Sequence, residues 1–250
     1  MKICDVVRPT RIVAENAKVI FEQFDTLLTD CDGVIWILDH VIPGAVDFVK
    51  LVIERGKRIF FVTNNSTKSR DAYVNKCRRL GFPAVESQIY CTGASVAKYL
   101  ESQKFDKSVY IIGTAGIGNE LDKVGITHHG IGPDQFTDDF LSKWDLNLDP
   151  NVGAVVVGFD GYISYPKILK AASYLKNPNV QFIGTNIDAF FPRPGATTIQ
   201  PGTGTMVTAV ATASGRQPVV LGKPEPLMFE LLQKEHSGVD PKRTLMIGDK

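Results

Sequence analysis

The chain reads as an α/β protein built on a parallel sheet, with a second small α/β module inserted into the first. Three observations carry that expectation. Short apolar or β-branched runs recur along it: TLLTD, RIFFVTN, SVYIIGT, GAVVVGF, VQFIGTN, QPVVLGK and TLMIGD. They are continuous rather than alternating, the pattern of strands covered on both faces. Helical patterns lie between several of them, which makes the first part strand–helix–strand–helix and its sheet parallel.

The element order follows from local signals. TLLTD is the first buried strand. The segment 43–57 opens on Pro43 and Gly44 and sets Val46, Val49, Leu51, Val52 and Ile53 along a helical stripe. RIFFVTN is the second strand. A second helix fits 66–82, with Ser66 or Ser69 as N-cap and Gly81 as the stop. Residues 128–151 then turn polar, with Gly, Pro and Asp breaks, a poor continuation of one sheet. The expected division is a core over 1–104, an inserted module over 105–215, and the core again over 216–250.

Composition excludes several classes. The 250 residues hold 44% apolar and 22% charged side chains, an ordinary globular mixture. A net charge of +1 gives no bulk attraction to nucleic acid. No run of apolar residues has the length of a membrane span, and the N-terminal stretch lacks the apolar core and cleavage site of a signal peptide. The cysteines Cys4, Cys31, Cys77 and Cys91 make no CxxC pair and no zinc spacing, so reduced thiols in a cytosolic protein are expected. The sequons at Asn64 and Asn65 matter only in a secreted chain and are discounted. His128 and His129 are adjacent, which is no metal spacing, and read as exposed.

The chemistry lies at strand ends, where open parallel sheets bind ligands. TLLTD runs into Asp30 and, one residue on, Asp32. RIFFV ends in 63-TNNS-66, PVVLG in 223-KPEP-226 and TLMI in Gly248 and Asp249. A phosphate ester is doubly charged and repels an anionic nucleophile. Asp30 could attack phosphorus only beside cations. Asp30 and Asp249 would hold Mg²⁺, a hard ion that prefers oxygen. Lys223 would add a fixed charge, and Thr63 with nearby amides would donate to phosphoryl oxygens. Asp32 could protonate the leaving alcohol and then activate water. Gly33 follows where the backbone must turn tightly.

The ordered motifs DCDGVIW, VTNNS, YCTGASVAKYL, PGTGTMVTAV, ASGRQPVVLGKPEP and LMIGD resemble the haloacid dehalogenase superfamily. Within it they resemble the phosphoglycolate phosphatase, pyridoxal phosphatase (chronophin) and 4-nitrophenylphosphatase family, from about residue 15 onward. The resemblance implies a Rossmann-like parallel-sheet core with an inserted α/β cap, which closes over the site and forms a homodimer contact. It implies Asp30 as nucleophile and Mg²⁺ ligand, and Asp32 as general acid/base with its backbone carbonyl on the metal. It implies Thr63, Asn64 and Asn65 as the phosphate-binding loop, Lys223 as the lysine that steadies phosphate, and Asp249 as the acidic metal ligand. A small phosphorylated metabolite is the expected partner, with neither nucleic acid nor membrane. Family members continue past Asp249 with a further acid and another strand, whereas this chain ends at Lys250. A truncated, non-catalytic isoform that binds a partner or dimerises is therefore the alternative. Phe191 stands before Pro192 where pyridoxal-phosphate enzymes carry histidine, which argues against that substrate. The run 113-GTAGIG-118 has its glycines in the wrong order for a dinucleotide loop and reads as a tight strand-to-helix turn.

Overall fold

The computed structural model describes residues 11–134, 146–191 and 197–249. After helix α1 (Ala14–Glu22), the TLLT run forms β1 (Thr26–Thr29), followed by a small antiparallel pair, β2 (Trp36–Ile37) and β3 (His40–Val41). Helix α2 (Ala45–Glu54), strand β4 (Arg58–Thr63), helix α3 (Arg70–Arg79), the short strand β5 (Ile89–Cys91) and helix α4 (Thr92–Ser102) come next. The chain continues through β6 (Ser108–Ile112), α5 (Ala115–Asp122), β7 (His128–His129), β8 (Val152–Val157), α6 (Tyr165–Leu175) and β9 (Gln181–Gly184). It closes with α7 (Thr203–Ser214), β10 (Val219–Val220), α8 (Leu227–Glu235) and β11 (Thr244–Ile247).

Two parallel sheets result. The first runs β11-β1-β4-β5 and the second β10-β9-β8-β6-β7. Their central strands are buried on two faces, which shows why those sequences do not alternate. In β1 and β4, Leu27, Ile59 and Phe61 pack on one side with Val49 and Val52 of α2 and Tyr73 and Cys77 of α3. Leu28, Phe60 and Val62 pack on the other with Met228 and Leu232 of α8. In the second sheet Tyr110, Ile112, Val155 and Val157 meet α6 and α7, while Val109, Ile111, Ala154 and Val156 meet α4 and α5. Strands β1, β4, β6 and β8 therefore alternate between two apolar layers.

Most expected elements are where periodicity put them. Ser69 is the N-cap of α3, its hydroxyl accepting from the Ala72 amide, and Gly81 (φ +86°) follows as the stop. Of the α2 stripe only Val49 and Val52 are buried; Leu51 and Ile53 are exposed. The histidines differ from expectation. His128 and His129 form β7 and pair in parallel with Val109 and Tyr110. They are half-buried rather than exposed, His129 lying 5.5 Å from the Tyr110 ring.

The boundary expected at residue 215 does not coincide with the sheet boundary. β10 lies beyond it and pairs with Ile183 and Gly184 of β9, so it belongs to the second sheet. Two β-branched residues carry no information about which sheet they join. The adjacent Leu221 decides it: it is fully buried beside Ile183, and its amide donates to the Gly184 carbonyl at 3.1 Å.

Helix α5 ties the two sheets together next to the TNNS loop. A Cβ on Gly116 would lie 2.5 Å from the Lys68 amide nitrogen and 2.6 Å from the Ser66 carbonyl oxygen, so only glycine permits this approach. The buried Glu120 accepts from the Arg70 amide at 2.6 Å and from Arg70 Nε at 2.7 Å. Within GTAGIG, Gly116 thus serves backbone packing, while Gly113 and Gly118 make room for side chains of Ile117, Ile111, His128 and Ile131.

Candidate active site

Strand register fixes where the expected residues meet. Thr29 lies opposite Ile247 on one side and Phe61 on the other. The carboxyl ends of β1, β4 and β11 are therefore neighbours, and the Asp30 amide donates to the Ile247 carbonyl at 2.8 Å. Asp249 follows β11, the neighbouring strand. Its Oδ2 would sit 2.7 Å from a Cβ on Gly33, a position whose φ of +90° already favours glycine. Asp30 and Asp249 thus flank one small backbone turn.

Lys223 reaches this point from the second sheet. Its Nζ lies 2.6 Å from Asp30 Oδ2 and donates to the Val62 carbonyl at 3.1 Å. Asp30 Oδ1 accepts from the Cys31 amide at 2.7 Å. Burial pushes the Asp30 carboxyl above its ordinary value, against the pull of Lys223 and the Cys31 N–H, and the Asp249 charge adds to the rise. Cys31 itself is buried, and burial pushes its thiol well up, so it fills space rather than reacting.

Asp32 is held separately. Its Oδ1 accepts from the buried Trp36 Nε1 at 2.9 Å, and Lys76 Nζ stands 3.7 Å away over the Trp36 ring. The two acids of DCDG are therefore distinct in environment: Asp30 is paired with a lysine, and Asp32 is oriented by an indole.

The TNN loop divides. Thr63 ends β4 buried, its hydroxyl accepting from the Asn65 amide at 3.2 Å. The Asn65 side chain is used within its own loop, accepting from Thr67 N at 2.9 Å and Thr67 Oγ1 at 2.7 Å. The Asn64 side chain is spent on Lys223 and Asp188. Its Oδ1 accepts from the Lys223 amide at 2.8 Å, and its Nδ2 donates to the Lys223 carbonyl at 2.9 Å and to Asp188 Oδ2 at 3.1 Å. An amide NH₂ has two hydrogens, and both are taken. The side chain has no donor left for a phosphoryl oxygen.

Two models described as haloacid dehalogenase-like hydrolase match the chain, over residues 27–127 and 97–250. The chain belongs to the haloacid dehalogenase-like hydrolases. The rat (Rattus norvegicus) glycerol-3-phosphate phosphatase is 41% identical over 98% of this chain and 79% of its own length. The chloroplastic phosphoglycolate phosphatase 1A of Arabidopsis thaliana is 39% identical over 94% of this chain and 66% of its own. Among solved structures, the p-nitrophenyl phosphatase from Archaeoglobus fulgidus superposes with a TM-score of 0.74 at 28% identity, covering 89% of this chain and 77% of that one. This hydrolase is a phosphatase.

The residues present fit a hard divalent cation. Two carboxylates, Asp30 and Asp249, face one turn whose glycine leaves room for oxygen ligands, and their charges repel without a cation between them. Among the described residues no three His, Cys, Asp or Glu side chains converge. The sequence reading missed Asn186, Asp188, Thr92, Trp36 and Lys76. The strand-end rule could have found Asn186 and Asp188, because β9 ends at Gly184 just before TNID. Phe191 packs edge-on against Phe159, ring centroids 5.1 Å apart. Its neighbour Pro192 lies outside the described residues.

Proposed function

We propose that this phosphatase hydrolyses small aliphatic phosphate monoesters in the presence of Mg²⁺, through an aspartyl-phosphate on Asp30. The observation that carries the reading is the pairing of Lys223 with Asp30 at 2.6 Å, with Asp249 beside the same turn. Lys223 lowers the proton affinity that burial confers on Asp30, keeping the carboxylate ionised for attack. One Asp30 oxygen forms the bond to phosphorus while the bond from phosphorus to the ester oxygen breaks. Asp32 gives its proton to that departing oxygen, then takes one from water, whose oxygen attacks phosphorus and frees Asp30 and inorganic phosphate. Trp36 and Lys76 orient Asp32 for both transfers. Thr63 and the amides of its loop bind the phosphoryl oxygens with Lys223. Mg²⁺, held by Asp30, Asp249 and the Asp32 carbonyl, would offset the charge of the phosphate.

The relatives' names, glycerol-3-phosphate phosphatase and phosphoglycolate phosphatase, support a two- or three-carbon substrate. The test is phosphate release with Mg²⁺ from glycerol 3-phosphate, phosphoglycolate and 4-nitrophenyl phosphate. Asp30→Asn is expected to abolish release from all three; wild-type turnover in that variant sinks the mechanism.

A further inference from the structure

Asn64 is gripped as strongly as it grips. Besides its three side-chain bonds to Lys223 and Asp188, its carbonyl accepts from Thr92 Oγ1 at 2.9 Å and from Asn186 Nδ2 at 2.8 Å. The orientation of the amide is fixed by chemistry, since a flipped group would set NH₂ against the Lys223 N–H and a carbonyl against both a carbonyl and a carboxylate. Gly222 completes the junction. A Cβ there would lie 2.5 Å from the Thr185 carbonyl oxygen, 2.7 Å from Asn64 Oδ1 and 2.9 Å from the Asn186 Cβ. The main chain at 222–223 is therefore clamped between Asn64 of the first sheet's loop and residues 185–186 of the second. The segment carrying Asp188 is seated in turn on the start of α7, where the Gly204 amide donates to the Asp188 carbonyl at 2.8 Å.

We propose that Asn64 is a positioning residue for Lys223, and that Asp188 makes the seat of that lysine depend on the loop after β9. Asn64 holds both main-chain polar groups of Lys223, the residue whose ammonium meets Asp30. Asp188 holds the Asn64 amide. The loop of the second sheet thereby acts on the lysine without touching it. The inference rests on the reading of Lys223 as the phosphate-steadying lysine.

Turnover of 4-nitrophenyl phosphate with Mg²⁺ and thermal unfolding midpoints are measured for the full chain, Asn64→Ala, Lys223→Ala and the double variant. A misplaced lysine is expected to lower kcat about 10- to 100-fold in Asn64→Ala. On the Lys223→Ala background the same change is expected to cost less than about threefold, because there is no ammonium left to misplace. Equal losses on both backgrounds, or wild-type kcat in Asn64→Ala, overturn the positioning role. Wild-type activity in Lys223→Ala would instead overturn the reading of the site, and this inference with it. A charge swap tests Asp188 by a route that general destabilisation does not imitate. Asn64→Asp sets two carboxylates face to face and is expected to lose activity. Adding Asp188→Asn supplies a donor to the new carboxylate and is expected to recover about tenfold in kcat. No recovery overturns the role of Asp188.

Discussion

Gly222→Ala is the sharpest single probe of how Lys223 is placed. Gly222 has no positive φ, so the change adds no backbone strain and acts only through its methyl group. That methyl would meet the Thr185 carbonyl at 2.5 Å, where ordinary contact begins near 3.4 Å. The obstacle is main chain, so the 222–223 segment and the 185–186 loop must part by roughly 1 Å, and a misplacement of that size costs about 100-fold in rate. Overpacking adds about 1–3 kcal/mol of destabilisation. For a chain of this size that lowers Tm by about 2–4 °C per kcal/mol. The assay is kcat for 4-nitrophenyl phosphate with Mg²⁺, beside a melting curve and a control. Gly161→Ala is the control, since a Cβ at Gly161 meets nothing within 4 Å. The expected result is a folded Gly222→Ala protein with kcat down about 100-fold and a Gly161→Ala protein like wild type. A folded Gly222→Ala protein with wild-type kcat would refute the argument that this contact sets Lys223.

Two further outcomes follow from other contacts. Gly33→Ala forces a side chain into a left-handed position and against Asp249 Oδ2, so the Mg²⁺ concentration for half-maximal phosphate release should rise about tenfold or more; an unchanged requirement counts against Asp249 as a ligand. Glu235 accepts from the Tyr90 hydroxyl and the Lys98 ammonium. Burial pushes its carboxyl up, but those hydrogen bonds outweigh burial and hold it below its ordinary 4.5. Burial pulls the Lys98 ammonium down despite its partner, so the carboxylate is the member that titrates in acid. A lowered folded-state value means stability present above 4.5 and lost as pH falls through the folded value. Melting curves from about pH 5 to about pH 3 should therefore fall more steeply for wild type than for Glu235→Gln, and parallel curves would remove Glu235 from the acid transition.

The sequence by itself determined the longer strands and the polar residues that follow them. Strands buried on both faces must be apolar throughout, so TLLT, RIFFVT and VGAVVV announced themselves, and acids directly after such a run have no packing reason to be there. Asp30, Asp32 and Asp249 were legible for that reason, as was Gly33, whose turn the acids require. Runs as short as Ile89–Cys91 and His128–His129 show no period, so β5 and β7 were not legible. What only the tertiary structure decided is how separate strand ends become one site. Val219 and Val220 could pair in either sheet, and burial of Leu221 beside Ile183 placed them in the second. Lys223 therefore approaches Asp30 from the second sheet, and an asparagine that looked like a phosphate ligand spends its amide holding that lysine. Hydrogen bonds between residues 159 positions apart leave no periodic trace in a sequence, because nothing local constrains either partner until the chain has folded.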